Sequence, residues 1–270
     1  MDDVSRRRFL TIIPSVTLIP AVVTGTPRWA DGAQETPPVP EVFPRQAAEM
    51  AREIVGVSHS NLVRVKELVA ARPALARASW DWGYGDWETA LGAASHVGNK
   101  EIAAVLLAAG AHPTIFSAAM LGQLETVKAF IAATPGIQKT RGPHGIPLMD
   151  HARAGEATEV VKFLESVGDA EPRYPSEPLI AGDPDALHGT YVFGAGATDR
   201  LVVSTNSRGQ LVMKREGGSD QRLFHHGGRV FNPPGAEAVR IRFEPVSGAV
   251  STVEISDGVL QVRGKKSAAG

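Results

Sequence analysis

The 270-residue chain contains no cysteine. A disulfide framework, a thiolate metal site and a cysteine nucleophile are therefore excluded, while the compartment stays open. Charge of either sign is not in excess: the formal net charge is −1, so no bulk basic field exists to hold nucleic acid. No apolar run reaches the ~20 residues that a spanning helix requires. Nucleotide motifs are missing too. There is no P-loop, and G-A-G-A-T-D at 194–199 lacks the third glycine and the βαβ setting of a dinucleotide site, so it reads as a loop between strands. What is present, 43 % hydrophobic and 21 % charged residues, is the composition of an ordinary folded protein of one or two domains.

Residues 5–10 read S-R-R-R-F-L and precede a mostly apolar run to Gly25. The order resembles a twin-arginine export signal, with Ser5, Arg6, Arg7, Phe9 and Leu10 in the matching places and Thr11 where lysine is common. The resemblance implies a bacterial protein exported already folded to the periplasm, with no stable transmembrane span after cleavage. Residues 1–30 are then the signal. Prolines at 37, 38, 40 and 44 make 31–44 an extended linker, and those at 172, 175, 178 and 184 make 172–186 a second.

Between the linkers, 45–171 carries short apolar-periodic helices joined by glycine or proline. Residues 85–111 resemble an ankyrin repeat: Thr89, Leu91, Ala94, Gly98, Glu101, Ile102, Leu106, Leu107, Gly110 and Ala111 hold matching places, while Ala90 and Gly92 depart from the usual proline and histidine. Ala94 would let helices approach closely, Gly98 would serve a tight inter-helix turn, and Ile102, Leu106 and Leu107 form an apolar stripe. The inter-helix position recurs at Ser60, Gly98, Gly122 and Gly155, at intervals of 38, 24 and 33 residues. The resemblance implies an α-solenoid of about four units, enough to bury a continuous core.

From 187 to 264 the pattern changes to short alternating runs (L-V-V-S, Q-L-V-M-K-R, V-R-I-R-F, S-T-V-E-I, V-L-Q-V-R) parted by glycine-rich turns. Period two with turns every eight to twelve residues predicts an antiparallel meander. Its strand and glycine order is similar to small β-domains appended to serine-hydrolase-like proteins, and carries no catalytic residues with it. Residues 265–270 read as a disordered tail. The expected fold class is thus α+β multidomain: an ankyrin-like α-solenoid followed by a small antiparallel sheet or partly closed barrel.

The histidines, at 59, 96, 112, 144, 151, 188, 225 and 226, show no i, i+4 metal-binding pair. His225 and His226 would face opposite sides of a strand. Ser58 and His59, with Asp86 or Glu88, form a possible nucleophile and base, but no nucleophile elbow surrounds them. No metal, no cofactor and no enzymatic activity are expected.

One stretch stands apart. S-W-D-W-G-Y-G-D-W-E at 79–88 gathers three of the four tryptophans around two glycines. In ankyrin-like arrays this position is a finger beside the concave face. Trp80, Trp82 and Tyr84 are the expected partner-binding rings, as rigid aromatics make strong contact residues. Asp86 and Glu88 would favour a basic partner rim, and Phe116 and Met120 are secondary contacts. Trp87 is assigned to packing. The predicted function is non-catalytic recognition of a protein partner. The alternatives are a small-molecule or lipid-binding protein using the β-domain, and a hydrolase or metal-dependent enzyme whose histidines are brought together by the fold.

Overall fold

The computed structural model describes residues 45–196, 199–215, 218 and 220–267. The export-signal reading and the first linker lie outside them. Residues 45–270 form one compact unit.

The first part is helical: α1 (Ala48–Val57), α2 (Leu62–Ala71), α3 (Ala90–His96), α4 (Lys100–Ala108), α5 (Ile115–Met120), α6 (Leu124–Ala133), α7 (Leu148–Ala154) and α8 (Thr158–Val167). Small polar residues start four of them. Asn61, Thr89 and Asn99 each accept a backbone N–H from the first turn, and Thr114 forms a reciprocal capping box with Ser117. Each such cap is worth about 1 kcal/mol. Between α2 and α3 the chain makes a hairpin of β1 (Ser79–Asp81) and β2 (Trp87–Thr89), with Trp80 opposite Glu88.

The expected ankyrin-like solenoid is not what these helices build. They are six to ten residues long and interrupted by the hairpin and by 3-10 turns at Pro73–Arg77, Ile137–Lys139 and Pro143–Gly145. In a one-dimensional stack each unit touches only its neighbours. Here α3 packs against α1, α5 and α7 alike. Gly98, at φ +75°, shows how close α7 comes: a Cβ there would lie 2.0 Å from the Ala154 carbonyl oxygen. Nor does the sheet follow as a separate domain, since it belongs to the same compact unit. The helix-pair signature fixes each local turn; the arrangement of the pairs is set by tertiary packing around α3.

A short helix α9 (Asp183–Leu187) leads into β3 (Gly189–Val192), β4 (Arg200–Thr205), β5 (Leu211–Arg215), β6 (Gln221–Arg222), β7 (Phe224–His225), β8 (Val230–Asn232), β9 (Arg240–Glu244), β10 (Thr252–Asp257) and β11 (Leu260–Lys266). They form one antiparallel sheet in the order β6-β5-β4-β3-β11-β10-β9-β8-β7. β6 and β7 are separated only by Leu223, whose N–H donates to the Leu211 carbonyl at 2.9 Å. One bent stretch thus passes from pairing with β5 to pairing with β8 and nearly closes a barrel. Tyr191, Leu201, Phe231, Ile241, Phe243 and Val253 are among the residues of its core. No described helix is long and apolar enough to cross a membrane.

Candidate metal centre

The hairpin and three helix ends converge on Glu88. The carboxylate sits on β2, fully buried. Thr89 follows it directly and caps α3, whose buried Ala90, Leu91, Ala93 and Ala94 press the helix into the core and leave His96 at its last position. His59 occupies the turn between α1 and α2. His144 lies in the 3-10 turn at Pro143–Gly145 with φ +58°, a left-handed conformation costly for a non-glycine residue.

Four side chains from four elements then meet. His96 Nε2 is 2.9 Å from Glu88 Oε1, His144 Nε2 3.4 Å from the same oxygen, and His59 Nε2 3.5 Å from Oε2. His96 Nε2 and His59 Nε2 are 3.1 Å apart. One ligand atom from each of the four residues can be chosen so that all lie within 4.8 Å of one another. Bonds of 2.0–2.1 Å to a tetrahedral zinc-class ion put neighbouring donors ~3.3 Å apart, close to the contacts seen.

The surroundings fix which nitrogen faces inward. His59 Nδ1 lies 2.9 Å from the Gly56 carbonyl, which can only accept, so Nδ1 carries the hydrogen. His144 Nδ1 is 2.7 Å from Asp86 Oδ2, and the His144 backbone N–H donates to Asp86 Oδ1 at 2.8 Å. With Nδ1 donating outward, neutral His59 and His144 present Nε2 lone pairs to the centre, beside a carboxylate. Such an outer ring of acceptors is what orients metal-binding imidazoles. Glu88 Oε2 accepts from Trp82 Nε1 at 2.7 Å. Oε1 is buried without a well-aligned hydrogen bond, although His96 Nε2 is near, because that nitrogen approaches it out of line with a ring N–H. A group of lone pairs this close calls for a shared cation. Without a metal only protons meet that need. Burial works against charge on both groups, yet the close polar contacts of His144 and His96 hold the Glu88 carboxyl down to about 2. Asp86 and Glu88 hold His144 up to about 10.

His151, buried on α7, stands behind the centre, its ring 6.4 Å from His96 and 4.8 Å from Phe116. Burial, then the neighbouring His96 charge, push it down to about 3. The Ser95 backbone lies near the ring without closing a well-formed hydrogen bond. A neutral, apolar-packed role follows.

The residues expected to bind a partner are placed mostly inward. Trp80 and Trp82 are partly buried against the helical core, and Tyr84 against the barrel core. Asp86 and Glu88 are buried in the centre, and Met120 is fully buried at the end of α5, so none of the three presents surface to a partner. Phe116 is half-buried against the α5–α8 core. Trp87, assigned to packing, is 62 % exposed instead. The Ser58–His59 nucleophile pair does not form: the Ser58 hydroxyl donates to the Ile54 carbonyl at 2.6 Å, a helix contact. His59, His96 and His144 lie 37 and 48 residues apart, so spacing gives no ligand signal; the grouping of His59 with Asp86 or Glu88 as a candidate nucleophile and base is the nearest the sequence comes to the centre. His188, His225 and His226 bond elsewhere, to Thr205, the Glu177 and Pro178 carbonyls, and Asn232.

No family model and no curated protein matches the chain. Among solved structures, SurE with D-Leu matches at 28 % identity over 42 % of this chain and 27 % of its own, with a TM-score of 0.26. A structure of SurE without that label matches at 25 % identity over 43 % and 27 %, with a TM-score of 0.25. The chain spans about a quarter of the length of these structures, and likeness at such scores carries no argument about fold or activity.

Proposed function

We propose that this protein is a metalloprotein in which His59, His96, His144 and Glu88 hold one divalent transition-metal ion. The carrying observation is the convergence of three Nε2 atoms on the buried Glu88 carboxylate, two at Oε1, which lacks an aligned hydrogen bond, and one at Oε2. Three imidazoles and one carboxylate form a nitrogen-rich set that suits zinc, iron, cobalt, nickel or copper over magnesium or calcium. His59 and His144 are 28 % and 29 % exposed, so the centre meets solvent on one side. Four protein ligands fill a tetrahedral shell, so water or a carbonyl reaching that side would be polarised as a fifth ligand, and metal-assisted hydrolysis is the reaction class open to the centre on that condition. Export in a folded state, as the Ser5–Leu10 stretch implies, would allow loading before translocation.

The test is metal analysis of the purified full chain, followed by cobalt titration of the chelator-treated protein. One equivalent of metal and intense visible bands of tetrahedral cobalt are expected, both lost in His96→Ala. A folded wild-type protein with neither would overturn the reading. Partner recognition is a second reading and rests on Trp87, whose exposed ring borders a surface hollow of about 350 Å³ that includes Phe116 and Arg141. Trp87→Ala should then abolish capture of a specific protein without changing metal content.

A further inference from the structure

The barrel is filled along part of its length and open at one end. Directly opposed residues on paired strands point to the same face. Ile255, in the core, opposes Val262; Asp257, two residues on, opposes Leu260. Leu201, also in the core, opposes Arg215. Val262, Leu260, Asp257 and Arg215 therefore sit at inward-facing positions. Even so, Leu260 and Val262 are 61 % and 42 % exposed, and Asp257 and Arg215 are exposed as well. Deeper in, the interior is taken up by Tyr191 and Phe243, their rings 5.4 Å apart.

The open end holds a cavity of about 470 Å³, within the range of small-molecule sites. Phe193 forms one wall by lying over Gly264, where a Cβ would be 2.9 Å from its ring. Tyr84 forms the lid. Its backbone has φ +62°, between Gly83 at +122° and Gly85 at +82°, and Asp81 Oδ1 braces the turn by accepting both glycine N–H groups at 2.8 and 3.1 Å. A strained tyrosine held at the mouth of a cavity is the kind of outlier that points to function. Burial pushes the Tyr84 phenol up, and the nearby Arg215 charge works against that rise.

We infer that this cavity binds an amphipathic monocarboxylate of the fatty-acid type. The acyl chain lies against Leu201, Ile255, Leu260 and Val262, and the carboxylate meets Arg215 and the Tyr84 hydroxyl. Asp81, Asp199 and Asp257 line the cavity as well, so the anionic head is confined to the side of Arg215 and Arg200. The inference is independent of the metal centre.

The experiment titrates the full chain with a fluorescent fatty acid and displaces it with dodecanoate, dodecanol or dodecyltrimethylammonium. Saturable one-to-one binding is expected, with dodecanoate at least tenfold more effective than dodecanol and the cation weakest. Arg215→Gln should erase the preference for dodecanoate. The double variant Leu260→Glu/Val262→Glu changes two exposed residues and should weaken binding at least tenfold while circular dichroism is unchanged. Absence of saturable binding to folded protein, or equal binding by that variant, overturns the site. Equal displacement by dodecanol overturns the carboxylate assignment.

Discussion

Trp82 Nε1 donates a 2.7 Å hydrogen bond to Glu88 Oε2, so the protein itself occupies one oxygen of the carboxylate that three imidazoles surround. The other oxygen is left to the centre. An indole in this place makes Glu88 a one-oxygen ligand and limits how far it can swing. The aromatic finger therefore serves the centre from behind, while its tip reaches the barrel.

Trp82→Phe keeps the ring and removes the donor. Cobalt affinity should fall about 10–100-fold, the usual effect of losing an outer-shell partner. The visible bands should also weaken as Glu88 gains freedom to bind through both oxygens. A titration that overlays the wild type would show that the bond has no part in ligation.

Asp86 grips His144 twice, at the backbone N–H and at Nδ1. Asp86→Asn retains the shape but removes the charge. A loss of metal affinity of about 10–100-fold is expected. Asp199→Asn, on the β3–β4 connection, is the control and should leave affinity unchanged.

Metal and fold are linked because the ligands come from four elements. At a free zinc concentration one thousand times the measured dissociation constant, stability should rise by about 4 kcal/mol. For a unit of this size that is a gain of about 8–16 °C in the melting temperature, reversed by chelator. His96→Ala should melt at one temperature with or without zinc.

His151 gives a pH dependence of known sign. Its imidazole is buried and pushed down to about 3, against an ordinary value of 6.5. The unfolded chain therefore binds the proton more readily than the folded one. The stability that comes from keeping His151 neutral is complete above pH ~6.5 and declines as pH falls toward 3. In metal-free protein, urea midpoints measured from pH 7 to pH 4 should drop less steeply for His151→Phe than for wild type. Parallel slopes would remove His151 as the cause.

Local structure was legible where one residue type has one job. Gly98, expected at a tight inter-helix turn, lies at φ +75° between α3 and α4, and the alternation L-V-V-S falls within β4, with Leu201 and Val203 buried and Val202 exposed. The assembly of the helix pairs was not legible, because Ile102 and Leu106 show that a helix has a buried face without saying which helix covers it. The centre was hidden for the same reason. Asp86 and Glu88 stood out in the sequence, but as outward charges; only the packing of α3 and the turn at His144 turns them inward. The rings of Trp80 and Trp82 carried no sign of direction, and the one ring set aside as packing, Trp87, is the exposed one.

Leu223 has a bearing on solubility. A sheet that ends in open edges offers another chain a row of free amides and carbonyls to extend, the usual route to strand addition and fibre growth. Because β6 and β7 lie on one bent stretch hinged at Leu223, the two strands that terminate the order are two residues each and already share a backbone. Little template is left exposed there, so the ends of this sheet offer another chain almost nothing to extend.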